Sequence, residues 1–319
     1  VKHISLVSTV YHTAASLPDM LAEFQRLAER NTGETFEFIF VDDGSKDNSY
    51  EVLLQLRGQD PRVKIVKLSR NFGAIPAALA GMSMATGDVV GAIASDLQDP
   101  PALFHEMLEH WRSGKKVVIA ARAERDDPFL TSLFSDLFYF LFRQFAIKTM
   151  PEHGFDFFLI DRAVCNLVVG MQENNAYLMG TILWVGFDPV VVHYARRRRE
   201  KKYGTSMWTL SKRFKYFVDS FAAFSYFPIR LASMLGILFS AIGLCYATFV
   251  IMARLAYAIR VEGWTSLMVV LLIVSGIQML ILGILGEYMW RNLDQTRHRP
   301  TYIIDQILGA DPDEPSPRS

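Results

Sequence analysis

Two uncharged apolar runs in the last third of the chain limit what it can fold into. Leu231 to Ala253 reads LASMLGILFSAIGLCYATFVIMA, and Ser266 to Gly286 reads SLMVVLLIVSGIQMLILGILG. A helix of about 20 residues crosses roughly 30 Å of hydrocarbon, and each run exceeds that length. A pair of buried core helices would need a covering shell that the short stretch after them does not supply. The expectation is therefore a transmembrane hairpin over 230–289, with both flanks on one side. Lys212, Arg213, Lys215 and Arg230 precede it and Arg291, Arg297 and Arg299 follow it, whereas the connection carries Arg260 against Glu262 beyond the boundary Arg254. The positive-inside bias then places the N-terminal part and the tail in the cytoplasm. The expected localisation is the cytoplasmic (inner) membrane, multi-pass, with both termini cytoplasmic. The opening VKHISLV lacks the layout of a signal peptide, and the closing GADPDEPSPRS is too polar and proline-rich to pack.

The remaining composition excludes more than it suggests. The 33 basic and 33 acidic residues cancel, so no global field argues for nucleic acid. Cys165 and Cys245 stand far apart in apolar surroundings, without the spacing of a metal knuckle or a redox pair.

Up to about Gln98 short β-branched runs alternate with helical patterns. ISLVSTVY, FEFIFVDD, VKIVKLS and VVGAIAS read as buried strands, and LPDMLAEFQRLAER and NSYEVLLQLRGQ as helices. Such alternation predicts a parallel α/β sheet with ligands at the carboxyl ends of its strands. Each strand end is polar: VDDGSKDNS follows the second, SRNFGAIPAAL the third and SDLQDPP the fourth. Neither a Walker A sequence nor a G-x-G-x-x-G fingerprint occurs, so no glycine loop holds a nucleotide's phosphates. A divalent ion held by aspartates can do so instead, and carboxylates suit Mg2+ or Mn2+ with phosphates completing the shell. Asp96 and Asp99 in SDLQDPP can equally cap the turn that begins at the prolines.

VDDGSKDNS, RNFGAIPAALAG, ATGDVV and SDLQDPP, in this order and spacing, resemble the nucleotide-sugar-binding half of family 2 glycosyltransferases with the GT-A fold. With GTSMWTLSKRFKYFVDSF and the apolar runs, residues 4–300 resemble the polyisoprenyl-phosphate glycosyltransferases, relatives of dolichol-phosphate mannose synthase, and above all bacterial GtrB-type glucosyltransferases. The resemblance implies a GT-A catalytic domain over 1–208, an interfacial amphipathic helix over 209–229, the hairpin over 230–289 and a cytoplasmic tail over 290–319.

The resemblance also implies roles for single residues. Thr9, Tyr11, Asp42, Asp43, Arg70, Asp96 and Gln98 would bind the nucleotide sugar, and Asp96 with Asp99 the metal. Ala94 stands where many relatives carry the first aspartate of a D-x-D motif, and Thr9 with His12-Thr13 replaces the proline and Asn-Glu of PVYNE. Asp156, between Phe155 and Phe157, falls where relatives carry an acid; with Asp96 it is the catalytic candidate, although a lipid phosphate is already anionic and needs no strong base. Arg199, Lys201, Lys202, Gly204, Thr205 and Ser206 would receive the acceptor phosphate. Cations and small polar residues before an apolar helix suit anionic headgroups, and a charge run is also a common solvated face. The aromatic stretches FLTSLFSDLFYFLFRQFAI and FKYFVDSFAAFSYF read as helices lying in the membrane interface, with a soluble core helix as the alternative.

The expected reaction is inverting transfer of a hexose, glucose from UDP-glucose, to undecaprenyl phosphate, with Mg2+ or Mn2+ stabilising the departing diphosphate. The expected partners are donor, lipid acceptor, membrane and further copies of the chain, a tetramer included, with no nucleic acid. Transfer of another sugar, such as mannose from GDP-mannose, and a non-catalytic membrane-tethered nucleotide-sugar-binding protein stay open. A processive synthase would need more spans and a Q-x-x-R-W motif, and the sequence lacks both.

Overall fold

The computed structural model describes residues 1–123, 139–140, 142–152, 154–155, 157–171, 177–195, 224, 227–257 and 263–309. The chain divides into two units. The first comprises Val1–Ala223 with Arg299–Ser319, and the second Phe224–His298.

An eight-stranded sheet organises the first unit, in the order β7-β5-β6-β4-β1-β2-β3-β8. Its strands are β1 (His3–Val10), β2 (Thr35–Asp42), β3 (Val63–Leu68), β4 (Val89–Ala94), β5 (Val117–Arg122), β6 (Phe157–Asp161), β7 (Val190–Tyr194) and β8 (Ile304–Leu308). The first four are parallel neighbours, as the strand and helix alternation predicts. β6 runs antiparallel between β4 and β5, and β7 parallel to β5. The register sets the strand ends level: Val10 lies opposite Asp42, Thr9 opposite Ala94, and Asp42 opposite Lys67. β6 starts on the same edge, since Phe157 lies opposite Ala120 and Phe158 opposite Ala92. Tyr194 ends β7 there, opposite Arg122.

Helices cover both faces because the central strands are apolar on both. In β2, Phe36, Phe38 and Phe40 alternate with Ile39 and Val41, and all are buried. Helix α1 (Leu17–Arg30) turns Leu17, Met20, Leu21, Phe24 and Leu27 inward at intervals of three and four, and Phe24 meets Phe38 at 5.5 Å between ring centroids. Burying each such side chain contributes roughly 1.5–3 kcal/mol. α2 (Ser49–Gln59) and α4 (Phe104–Arg112) follow β2 and β4. On the other face α3 (Ala74–Ser83) lies close to the sheet: a Cβ on Gly81 would stand 2.3 Å from Val7 Cγ1 and 2.8 Å from Val41 Cγ2, so only glycine lets it approach. α5 (Arg162–Gly170) and α6 (Leu178–Trp184) complete this unit. Away from the strand-end edge, the buried Glu37 accepts from Ser5 Oγ at 2.5 Å and Thr86 N at 2.6 Å, and pairs with Lys64 Nζ at 2.9 Å.

Of the aromatic stretch 129–147, the described part is helical at 139–140 and 142–145, and it does not behave as one face. Phe142 is fully buried with its ring against Tyr177, whereas Phe140 and Phe145 are exposed. The second stretch, 214–227, lies almost wholly outside the described residues.

The second unit consists of α7 (Phe227–Tyr257) and α8 (Trp264–Thr296). The expected two-span hairpin is corrected here, and with it the multi-pass localisation and the topology built on an even number of spans. Among the described residues one helix is long and apolar enough to cross a membrane, Val269–Thr296 with 28 residues. Among the described residues the apolar stretch of α7 is the shorter Ala232–Tyr246. Met234, Ile237 and Leu244 on α7 and Leu267, Met279 and Leu282 on α8 are exposed.

The sequence predicts a tail throughout the stretch after α8. Instead β8 pairs antiparallel with β3 and closes that edge of the sheet. Tyr50 donates its hydroxyl to Gln306 at 2.8 Å, and Tyr302 meets Ser83 at 3.0 Å. The expectation of disorder for the last residues lies outside the described part, apart from Gly309.

Candidate active site

The level ends of β4, β1, β2 and β3 bring four polar turns together. The turn after β1 is tied to both neighbours. Asp43 N donates to Val10 O at 2.9 Å and Ser95 N to Thr9 O at 3.2 Å. Thr13 shares a hydroxyl hydrogen bond with Ser95 at 2.7 Å, and Ser16 Oγ donates to Ser95 O at 2.6 Å. His12 takes a φ of +54°, a conformation rare outside glycine. Its amide reaches Ser45 Oγ at 3.2 Å and its Nε2 accepts from Lys46 N at 3.4 Å. Thus His12 and Thr13, which depart from PVYNE, join β1 to the turns after β2 and β4. Thr9 and Tyr11 are half-buried beside them, and the Tyr11 and His12 rings stand 4.3 Å apart.

Asp42 and Asp43 are both buried but differ in their partners. Asp42 accepts from Ser45 N through Oδ1 at 3.2 Å, while its buried Oδ2 has no hydrogen-bond partner among the described residues. Asp43 uses both oxygens on the next turn: Oδ1 accepts from Phe72 N at 2.7 Å and Oδ2 from Gly73 N at 2.9 Å. Burial pushes the Asp43 carboxyl above its ordinary pKa, and these two amides oppose the shift. Gly44 follows with a φ of +65°, and a Cβ there would stand 2.5 Å from the carbonyl carbon of Arg70. The glycine of DDGS therefore lets two turns lie backbone to backbone. Arg70 is exposed, with its guanidinium 3.9 Å from the Phe72 ring centroid and Nη1 donating to Asn71 O at 3.1 Å.

The turn after β4 carries the acids. Ala94 is exposed, Asp96 and Gln98 are half-buried, and Leu97 takes a φ of +56°. Gln98 N donates to Asp96 Oδ1 at 3.3 Å. Asp99 is buried and accepts the Tyr194 hydroxyl at 2.5 Å. Among the described residues no three His, Cys, Asp or Glu side chains meet as a metal-binding group. A single carboxylate at the mouth of the edge still fits a magnesium-type ion, which keeps waters and takes its other ligands from substrate phosphates. Asp96 has that placement, whereas Asp99 is buried in a hydrogen bond with a tyrosine.

The structure thus brings Thr9, Tyr11, Asp42, Asp43, Arg70, Asp96, Gln98 and Asp99 to one edge. Asp156, Arg199, Lys201, Lys202, Gly204, Thr205 and Ser206 lie outside the described residues. Phe157, which follows Asp156 in sequence, opens β6 on this same edge. Sequence reasoning missed the linking roles of Thr13, Ser16 and Ser95, and missed Tyr194 altogether. The alternation of VVVHY is the signal that would have placed Tyr194 on the buried face.

Residues 5–169 match the family model described as glycosyl transferase family 2. Over 315 residues, 97% of this chain and 96% of the relative, the sequence is 39% identical to an uncharacterized glycosyltransferase, YkcC, of Bacillus subtilis. It is 33% identical to the bactoprenol glucosyl transferase of Shigella phage SfV over 94% of this chain and 97% of the relative. Among solved structures, glucosyl-3-phosphoglycerate synthase of Mycobacterium tuberculosis overlays with a TM-score of 0.48 at 16% identity, over 69% of this chain and 76% of that one. The family match spans more than half of the chain and the relatives span nearly all of it: this chain is a glycosyltransferase and belongs to glycosyl transferase family 2.

Proposed function

We propose that this enzyme transfers glucose from UDP-glucose to a polyisoprenyl phosphate, undecaprenyl phosphate, with inversion at the anomeric carbon. The observation that carries the reading is the near-full-length likeness to the Shigella phage bactoprenol glucosyl transferase. Likeness confined to the sheet would support the donor half alone. A match over 94% of the chain also runs through the basic segment and the apolar helices, which a soluble acceptor would not require. α8, together with the apolar surface of α7, holds the enzyme at a bilayer, where the acceptor's phosphate sits at headgroup depth.

In this reading the nucleotide lies along the ends of β1, β2 and β3, with Asp42 and Arg70 beside it and Asp43 fixing the turn that carries Arg70. Asp96 would hold Mg2+ or Mn2+, which would supply charge to stabilise the departing diphosphate. An acceptor phosphate oxygen attacks the anomeric carbon, the bond to the diphosphate breaks, and UDP leaves. The acceptor arrives anionic, so Asp156 orients sugar or acceptor and need not remove a proton. Arg199, Lys201 and Lys202, with the Gly204 to Ser206 turn, receive the lipid phosphate.

Two measurements test the reading. Across a panel of nucleotide sugars offered with polyprenyl phosphate, UDP-glucose is expected to be the best donor; preference for GDP-mannose would replace the sugar assignment. Asp96→Ala is expected to lower transfer about a hundredfold or more, because removing one well-placed charge stabiliser commonly costs roughly 3–4 kcal/mol. Undiminished transfer by this variant, or by the wild type in excess EDTA, would overturn the metal assignment.

A further inference from the structure

The acid turn after β4 is held from a distant strand. In the order β7-β5-β6-β4 two strands separate Tyr194 from the end of β4, yet the Tyr194 hydroxyl donates to Asp99 Oδ1 at 2.5 Å. Tyr194 is 6% exposed and Asp99 3%. The tyrosine ring reaches across the sheet face on a floor of aromatic groups. It meets Phe157 of β6 edge-on at 5.5 Å, and Phe157 meets Phe104 of α4 at 5.4 Å. The end of β7 is fixed as well, because Ala123 N donates to Tyr194 O at 2.9 Å.

A buried carboxylate at such a place needs a reason. Asp99 does not cap the helical turn that follows: the cap residue at Pro101–Leu103 is Pro100, with no side-chain cap hydrogen bond. Among the described residues it accepts the tyrosine hydroxyl, in a short charge-assisted bond of the strong class. Between Asp96 and Asp99 the chain makes one tight turn, with Leu97 at a φ of +56° and Gln98 N on Asp96 Oδ1. Fixing Asp99 therefore fixes the direction in which Asp96 presents its carboxylate.

We infer that Tyr194 is a positioning residue for donor binding, which acts through Asp99 to hold the Asp96 turn. The inference rests on the proposed reading of this edge as the donor diphosphate site. It makes Asp99 the tyrosine's anchor and leaves the metal to Asp96. Misplacement of a binding group by about 1 Å can cost up to about a hundredfold in rate, so loss of one hydroxyl at this distance from the reacting atoms can register.

The test compares Tyr194→Phe, Asp99→Asn, Asp99→Ala and the double variant Tyr194→Phe/Asp99→Ala. Tyr194→Phe keeps the ring on Phe157 and is expected to melt close to the wild type. It is expected to lower kcat about tenfold and raise the donor KM several-fold, leaving the acceptor KM unchanged. Asp99→Asn retains an oxygen that accepts from the tyrosine and is expected to keep most activity, whereas Asp99→Ala behaves like Tyr194→Phe. The double variant is expected to be no worse than Asp99→Ala, because the two act as one unit. Wild-type kinetics in Tyr194→Phe, an Asp99→Asn variant as inactive as Asp96→Ala, or losses that multiply in the double variant would each overturn the inference. The wild type in the same assay tests the function reading separately. If it transfers nothing to lipid, calorimetric binding of UDP with Mn2+ decides the inference alone: several-fold weaker binding by Tyr194→Phe supports it, and equal binding overturns it.

Discussion

Asp42 and Asp43 are adjacent in sequence and buried together, yet their hydrogen bonds separate their roles. Asp43 spends both oxygens on the amides of Phe72 and Gly73, so it shapes the Arg70 turn from within. Asparagine at this position offers one acceptor and one donor, and the donor would face an amide N–H. Asp43→Asn is therefore expected to raise the donor KM about tenfold, and Asp43→Ala to lower stability by about 1–3 kcal/mol through two unmet, half-buried amides; steady-state kinetics and urea melts check the two values. Elsewhere Asp60 is held at a pKa of about 2, chiefly by two hydrogen bonds from Arg62. Its unfolded value is about 4, so the ionised group stabilises the fold fully above that pH, and the contribution fades as pH falls through about 4 toward 2. Asp60→Asn is expected to narrow the stability difference between pH 6 and pH 3, and an unchanged difference would contradict this. The residue types at the site were legible because VDDGS and SDLQDPP follow apolar strands and nothing about a strand end requires such acids. Their division of labour was not legible, since the partners of Asp43 lie 29 and 30 residues away, and Tyr194 stands 95 residues from Asp99.

Among the elements, the parallel core β1 to β4 was readable from alternation alone, since each strand is an apolar run bounded by polar turns. β8 was not, because the residues of Ile304–Leu308 alternate in burial only weakly and become a strand through the bared edge of β3. Two membrane spans were expected because two runs lack charge. Absence of charge measures composition alone, and among the described residues the helix long and apolar enough to cross a membrane is Val269–Thr296. Ending the chain after Arg299 would strip β8 from β3 and expose an unpaired edge. Such a truncation is expected to melt several degrees lower, to scatter light on standing, and to bind UDP more weakly, since β3 leads into the Arg70 turn. A truncated chain that melts and binds like the full one would show β8 to be decorative.

At the scale of the molecule, the chain combines a carboxylate-bearing sheet edge with two helices whose apolar side chains stay exposed. The first suits a nucleotide sugar and the second a lipid surface, and a glycosyltransferase whose acceptor is a polyprenyl phosphate uses both. The destination of the sugar decides between these uses. Purified full-length protein should be incubated with UDP-glucose labelled in the glucose, Mg2+ or Mn2+, and undecaprenyl phosphate in detergent, and the label followed into the organic phase. Lipid-extractable label is expected that requires the lipid phosphate, with UDP released in equal amount, and that falls about a hundredfold or more in Asp96→Ala. Label that stays in water, or UDP release that proceeds equally without lipid, would contradict it.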